Sequence, residues 1–286
     1  MLEDEYEFQV KYETGKLKEL ERKKKELSSN AGTTKDAEII EINKDKINKI
    51  EDEILEEDFF KKLNLTVELE EFQIYDKYHF TIAISPKEAE IINQNTHRTR
   101  IVYIPMTQEP YYISNSYTGP ALFPTGPNPF NVHGYLYFIK KVLPRVIKKA
   151  PSFSLQVTGA ICRDVLPVEG ISLCGFVPDL KSLYKSAKFV VCPVWGGTGQ
   201  QVKIVEAMAH GVPVIASKHA AEASPIQHNV NGLIANDAEE FADYVVQLWY
   251  DKETCYRLGH AARETIASDF SRARLVEKLS SIITTS

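Results

Sequence analysis

No stretch of this 286-residue chain approaches the run of about 20 apolar residues that a membrane span requires. The acidic opening MLEDEYEFQV also lacks the basic flank and apolar centre of a secretory signal. Positive charge is not in excess: 34 Lys and Arg stand against 39 Asp and Glu, for a net charge of −5. That balance offers no broad basic field to nucleic acid or to an acidic lipid surface, so an anionic ligand needs a local site. Cysteine is scarce. Cys162, Cys174, Cys192 and Cys255 are far apart and form no CxxC or Cys/His spacing, which reads as buried, reduced thiols in a soluble cytoplasmic protein with neither disulfides nor a metal site. Proline is missing from the first 63 residues, where Lys and Glu are dense.

That first region, residues 1–63, reads as two charged helices joined at SSNAGTT (28–34), a helical hairpin. Ile40, Ile47, Ile50 and Ile54 recur at heptad-like spacing and give one apolar stripe. The stripe needs a cover, either the hairpin's own domain or the helix of a partner chain. From residue 66 the texture changes. TVELEEFQIYDKY reads as a helix, HFTIAIS (79–85) as a buried strand, PKEAEIINQN as a helix with Pro86 at its first position, and RIVYIP (100–105) as a strand. Residues 106–120 carry turn formers without periodicity and read as a linker, so 64–118 is expected to be a partial strand-helix-strand unit.

Residues 119–286 alternate more regularly. ALF (121–123), SLQVTGA (154–160), SLCGFV (172–177), FVVCPV (189–194), VPVIAS (212–217) and GLIA (232–235) are short apolar runs, and helical patterns lie between most of them. Parallel strands need crossover connections, which helices supply, so the expectation is an α/β, doubly wound, Rossmann-like sheet covered on both faces.

In such sheets ligands sit beyond the carboxyl ends of strands. Four loops qualify: PTGPNPFN (124–131), in which Asn131 is read as the helix cap; Gly159-Ala160; Gly175-Phe176-Val177; and Gly196-Gly197-Thr198-Gly199, ahead of a helix starting near Gln200. In the last of these, flexible backbone can turn its amides toward an anion while the helix offers its positive end. Lys203 adds a point charge to the same anion, and Glu206, three residues on, lies one turn deeper on the same face, where an acceptor-only carboxylate suits vicinal hydroxyls. The combination describes a nucleotide. Against it stand plainer readings: a glycine-rich turn before a helix is common, GGTG fits neither the Walker nor the GxGxxG pattern, and a Lys and Glu three apart are often a surface pair.

The segment GTGQQVKIVEAMAHGVPVIAS resembles the nucleotide-sugar-binding motif of retaining GT-B glycosyltransferases, the group 1 or GT4-like family. The likeness extends through ALFPTGPNPFNVHGYLYFIKKVLPRVIKKAPSFSLQVTGA, GISLCGFVPDLKSLYKSAKFVVCPV and NVNGLIANDAEEFADYVVQLWYD to the DFS at 269–271, covering about 119–272. It implies the C-terminal nucleotide-sugar-binding domain of such an enzyme. The implied reaction transfers a sugar from a nucleotide diphosphate sugar to an acceptor hydroxyl of a sugar, a lipid-linked sugar or a protein, with retention and with neither cofactor nor obligatory metal. By this match Lys203 contacts the diphosphate and Glu206 the ribose. Gly197, Thr198 and Gly199 meet the phosphates or donor sugar, Gly159 lets the backbone pass close to the nucleotide, and Gly175, Phe176 and Val177 flank its base.

Three departures accompany the resemblance. Thr198 stands eight residues before Glu206, where many relatives carry the first glutamate of E-x7-E, and Gln201 stands two before Lys203, where relatives tend to have a second basic residue. Only residues 66–105 resemble the acceptor-binding N-terminal domain, so most of it is expected to be missing. Activity is then expected to need a partner chain, which residues 1–63 could bind; the contrasting expectation is a non-catalytic nucleotide-sugar-binding scaffold. His79, His97, His133 and His210 are the histidines nearest the candidate loops and are expected to be structural or exposed.

Overall fold

The computed structural model describes residues 48–49, 52, 55, 69–166, 168–197 and 199–284. The hairpin expected over 1–63 and the side chain of Thr198 therefore lie outside, or almost wholly outside, the described residues. Helix α1 (Leu69–Tyr75) leads to strand β1 (Phe80–Ala83), helix α2 (Pro86–Asn95) and strand β2 (Arg100–Tyr103). Ser85 starts α2 as its side chain accepts from the Glu88 amide, with Pro86 at the first helical position. β1 and β2 pair in parallel around a small cluster of Phe72, Ala83 and Ile92. The expectation of a buried strand needs correcting here. β1 is buried on alternate residues only, and Ile82 is 54% exposed, because a two-stranded sheet covers one face at most.

The larger sheet holds β3 (Ala121–Pro124), β4 (Leu155–Thr158), β5 (Ile171–Gly175), β6 (Val190–Cys192), β7 (Val214–Ser217) and β8 (Leu233–Ala235). All pair in parallel in the order β5-β4-β3-β6-β7-β8, so the winding reverses between β3 and β6. Side chains alternate between two apolar layers. Ala121, Phe123, Val191 and Ile215 face one cluster, closed by helices α3 (Pro129–Tyr137), α4 (Leu143–Lys149) and α8 (Ala238–Tyr250). Leu122, Val190, Cys192 and Val214 face the other, closed by α5 (Lys181–Tyr184), α6 (Val202–Ala209), α7 (Lys218–Glu222) and α9 (Lys252–Asp269). The expected doubly wound sheet is the one observed. A further helix, α10 (Arg272–Thr284), follows.

Local departures from the expected elements have visible causes. α3 and α4 are joined by a π-helical stretch, Phe138–Val142, in which the Leu143 amide reaches the Phe138 carbonyl. Pro144 follows at once; it has no N–H for the carbonyl four residues back, and the wider turn absorbs the loss. β5 ends at Gly175 instead of Val177, because Gly175 turns to φ +67° after a register shift against β4. Cys192 and Cys255 are buried as expected, but Cys174, on edge strand β5, is exposed.

Candidate functional site

The point where the winding reverses places two loops side by side at the carboxyl ends of β3 and β6. The loop after β6 runs from Pro193 into α6. Its backbone conformation is more selective than the glycine count implies: of Gly196, Gly197 and Gly199, only Gly197 lies in the left-handed region, at φ +92°. A Cβ added at Gly199 would meet nothing within 4 Å, so its freedom is not used here. α6 begins at Val202, with Gln201 as its N-cap residue and no side chain capping the end, which leaves first-turn amides for a ligand.

Lys203 lies in that first turn. Its Nζ donates to Asn131 Oδ1 at 2.7 Å and to Gln201 Oε1 at 3.2 Å, and it sits 5.9 Å from the centre of the Phe123 ring. An ammonium has three donors, so two of three are engaged among the described residues. Withdrawal from water lowers its pKa, with the nearby Cys192 thiol opposing the shift. Asn131 is therefore not the helix cap. Asn128 takes that role, its side chain accepting from the Asn131 amide at 2.9 Å, while Asn131 donates to the Gly126 carbonyl and holds Lys203.

Glu206 lies one turn further along α6. Burial raises its pKa; His210 and the Tyr184 hydroxyl oppose that, although Tyr184 forms no hydrogen bond of good geometry. His210 packs between two rings, 4.6 Å from Tyr184 and 5.0 Å from Tyr111 by ring centres, both nearly parallel. Its Nδ1 lies 2.9 Å from the Glu206 main-chain carbonyl. His210 and His133 are both buried, and burial pushes the His133 imidazole down to about 4.

The linker read at 106–120 grips α6 at both ends. The Met106 amide donates to Gln200 Oε1 at 2.7 Å, the Tyr111 amide to the Ala209 carbonyl at 2.7 Å, and the Tyr117 hydroxyl to the Gly211 carbonyl at 2.8 Å. Gly159 follows β4 at φ +103°, where a Cβ would lie 2.1 Å from the Thr125 carbonyl, and its amide donates to Gly175 O at 2.7 Å. The loops after β3, β4 and β5 thus meet backbone to backbone. Phe176, 78% exposed, and the half-buried Val177 lie on the outer side of that junction, on the far strand from α6.

Sequence reasoning missed three contributors. Gly134 of α3 lets that helix touch the glycine loop, since a Cβ there would stand 2.8 Å from the Pro193 carbonyl. Asn131 and His219 reach Lys203 and Gly197 across 72 and 22 residues, separations at which no local pattern exists.

Comparison with known proteins decides what this arrangement belongs to. The family profile described as glycosyl transferases group 1 matches residues 121–251, from the first residue of β3 to just past the end of α8. Residues 121–251 belong to the group 1 glycosyltransferases. Among curated relatives of this glycosyltransferase domain, the GDP-mannose-dependent α-(1-6)-phosphatidylinositol monomannoside mannosyltransferase of Mycobacterium tuberculosis is 31% identical over 87 residues, 30% of this chain and 23% of that protein. The putative glycosyltransferase EpsD of Bacillus subtilis is 33% identical over 111 residues, 38% of this chain and 28% of that one. The matches to these relatives span about a quarter of their length. Solved structures give the fold. Anabaena HepE, crystallised with UDP and glucose, superposes with a TM-score of 0.61 at 16% identity, over 77% of this chain and 68% of HepE. Staphylococcus aureus TarM, in a complex that includes UDP, gives 0.61 at 18% identity over 73% and 45%. The glycosyltransferase domain thus has the Rossmann-like GT-B fold, and among the described residues no helix is long and apolar enough to cross a membrane.

Proposed function

We propose that this chain takes part in hexosyl transfer from a nucleoside diphosphate sugar to an acceptor hydroxyl with retention of anomeric configuration, in the manner of GT4 enzymes and in the cytoplasm. The observation that carries the proposal is Lys203. It is held by Asn131 and Gln201 at an uncapped helix start, where the sheet reverses its winding. When the bond from the sugar to the diphosphate breaks, its electron pair stays with the diphosphate. The remaining Lys203 donor, the α6 amides and the backbone at Gly197 and Gly199 meet that growing charge.

In this reading Glu206 accepts from the ribose hydroxyls, while Gly159, Gly175, Phe176 and Val177 border the base. Gln201, the residue beside Lys203, orients the lysine and adds no second positive charge. GDP-mannose is named for the mycobacterial relative and UDP for HepE, so guanine and uracil donors are the first to try. The acceptor is a sugar, a lipid-linked sugar or a protein. The division of the chain at about 63 and 118 belongs to the same proposal, with the surface ahead of residue 119, or a partner bound through residues 1–63, completing the acceptor side.

The test is a panel of UDP, GDP and ADP sugars, read by thermal stabilisation and by release of nucleoside diphosphate with and without sugar acceptors. One class of donor should stabilise the chain, by about 2.7 kcal/mol at a hundredfold excess over its dissociation constant. Absence of both stabilisation and release across the panel would overturn the proposal.

A further inference from the structure

We infer that His219 is a positioning residue for the glycine loop, fixing the direction in which that loop presents its amides to a donor diphosphate; this rests on the nucleotide-sugar reading above. His219 lies in α7, the five-residue helix after β7, and its Nε2 is 2.7 Å from the Gly197 carbonyl. A carbonyl only accepts, so Nε2 carries the hydrogen, and both the Nε2–H tautomer and the imidazolium supply it.

The same short segment makes a second attachment. Ser217, whose hydroxyl also caps α7 by accepting from the Ala220 amide, donates to the Val194 carbonyl. Two carbonyls three residues apart are thus drawn toward one helix. A trans peptide is planar with its C=O and N–H opposed. Anchoring the Val194 carbonyl on α7 therefore turns the Trp195 amide away from it, and the His219 bond holds the Gly197 carbonyl toward the same helix. An anion on that opposite side meets amides already aligned, with no charge on the loop itself.

The geometry gives Gly197 a second reason to be held. At φ +92° it has no Cβ to lock its orientation, and its nearest side-chain neighbour is the Phe130 ring, 3.5 Å from where a Cβ would stand. Aromatic contact resists collapse but not rotation of the peptide plane. The directional bond from His219 resists that rotation. Ser217 is fully buried, whereas His219 is only half-buried and can be replaced with less risk to the fold.

The test compares His219→Leu, which has no donor, with His219→Gln, whose amide nitrogen reaches about as far as Nε2, alongside Lys203→Ala and the parent. Binding of UDP, GDP and inorganic pyrophosphate is measured by calorimetry, melting temperature is recorded, and KM and kcat are separated once the donor is known. His219→Leu is expected to weaken diphosphate binding roughly five- to tenfold, pyrophosphate included, at an unchanged melting temperature, and His219→Gln to restore most of it. Parent-like binding by His219→Leu, while Lys203→Ala binds weakly, would overturn this role and leave the nucleotide-sugar reading standing. A loss that tracks a lowered melting temperature and is not rescued by Gln would overturn it too, as a general structural role. A parent that binds no nucleoside diphosphate would remove the site reading and the role of His219 together.

Discussion

Replacing Lys203 by Met separates the cost of holding a charge in this fold from its use. Met keeps much of the side-chain volume and removes the charge with its three donors. In the free protein the ammonium is a burden: burial lowers its pKa below 10.5, so folding disfavours the protonated form. The penalty is complete below the depressed folded pKa and is relieved as pH rises from there toward 10.5. Against it stands Asn131 Oδ1, which loses the lysine at 2.7 Å, a loss of about 1 kcal/mol. At neutral pH the two effects oppose each other, so Lys203→Met is expected to cost less stability than the lost hydrogen bond alone. Binding of nucleoside diphosphate, by contrast, loses a charge-assisted contact of about 1.5 to 3 kcal/mol, roughly 10- to 150-fold in affinity. Urea unfolding at pH 7 and pH 10, with calorimetry against UDP and GDP, reads both. The parent should gain on the variant as pH rises. Unchanged affinity would refute the reasoning, and so would a loss of stability above about 3 kcal/mol, which would make Lys203 a structural residue.

Glu206→Gln should weaken binding of ribose-bearing diphosphates and spare pyrophosphate; equal losses in calorimetry would count against a ribose contact. Because burial raises the Glu206 pKa, its carboxylate costs stability as pH rises above 4.5, so the free variant should gain on the parent over that range in urea titrations. For Gly159→Ala, a Cβ 2.1 Å from the Thr125 carbonyl at φ +103° should destabilise the chain by about 3 kcal/mol or more, and a drop under about 1 kcal/mol would show that the junction of loops yields easily. His133 is held neutral down to about 4, so its contribution is complete above 6.5 and is lost between 6.5 and about 4, amounting to about 3 kcal/mol. His133→Gln should flatten that part of the acid-unfolding curve, and superimposable parent and variant curves would refute the point.

The six strands of the main sheet could be read from their apolar runs, because a strand buried on both faces leaves a nearly continuous signal. Pro86 marked the start of α2 for an equally local reason. What sequence could not settle were choices made by distant neighbours. Asn128 and Asn131 suit a cap equally well by type; Pro129 at the first helical position favours Asn128, while the bond from Asn131 to Lys203 spans 72 residues and has no local signal. The exposed Ile82 follows from a sheet of only two strands, which no single window contains. At the candidate site, the placement of Lys203 and Glu206 on one helix was legible because they stand three residues apart in a helical pattern. The residues proposed to aim the loop, Ser217 and His219, carry no local pattern that links them to it in the sequence.

Helix α9 begins one residue past the stretch the family profile recognises, yet it closes the layer beneath α6. Ala262, Ile266 and Phe270 share an apolar cluster with Ile204 and Met208, and Gly259 crosses so tightly that a Cβ would stand 2.2 Å from the Gly211 carbonyl. A protein engineer excising the domain at residue 251 would keep every recognised position and strip the underside from α6. Sound excision points lie beyond Phe270, and domain shuffling among these transferases has to treat α6 and α9 as a single cassette.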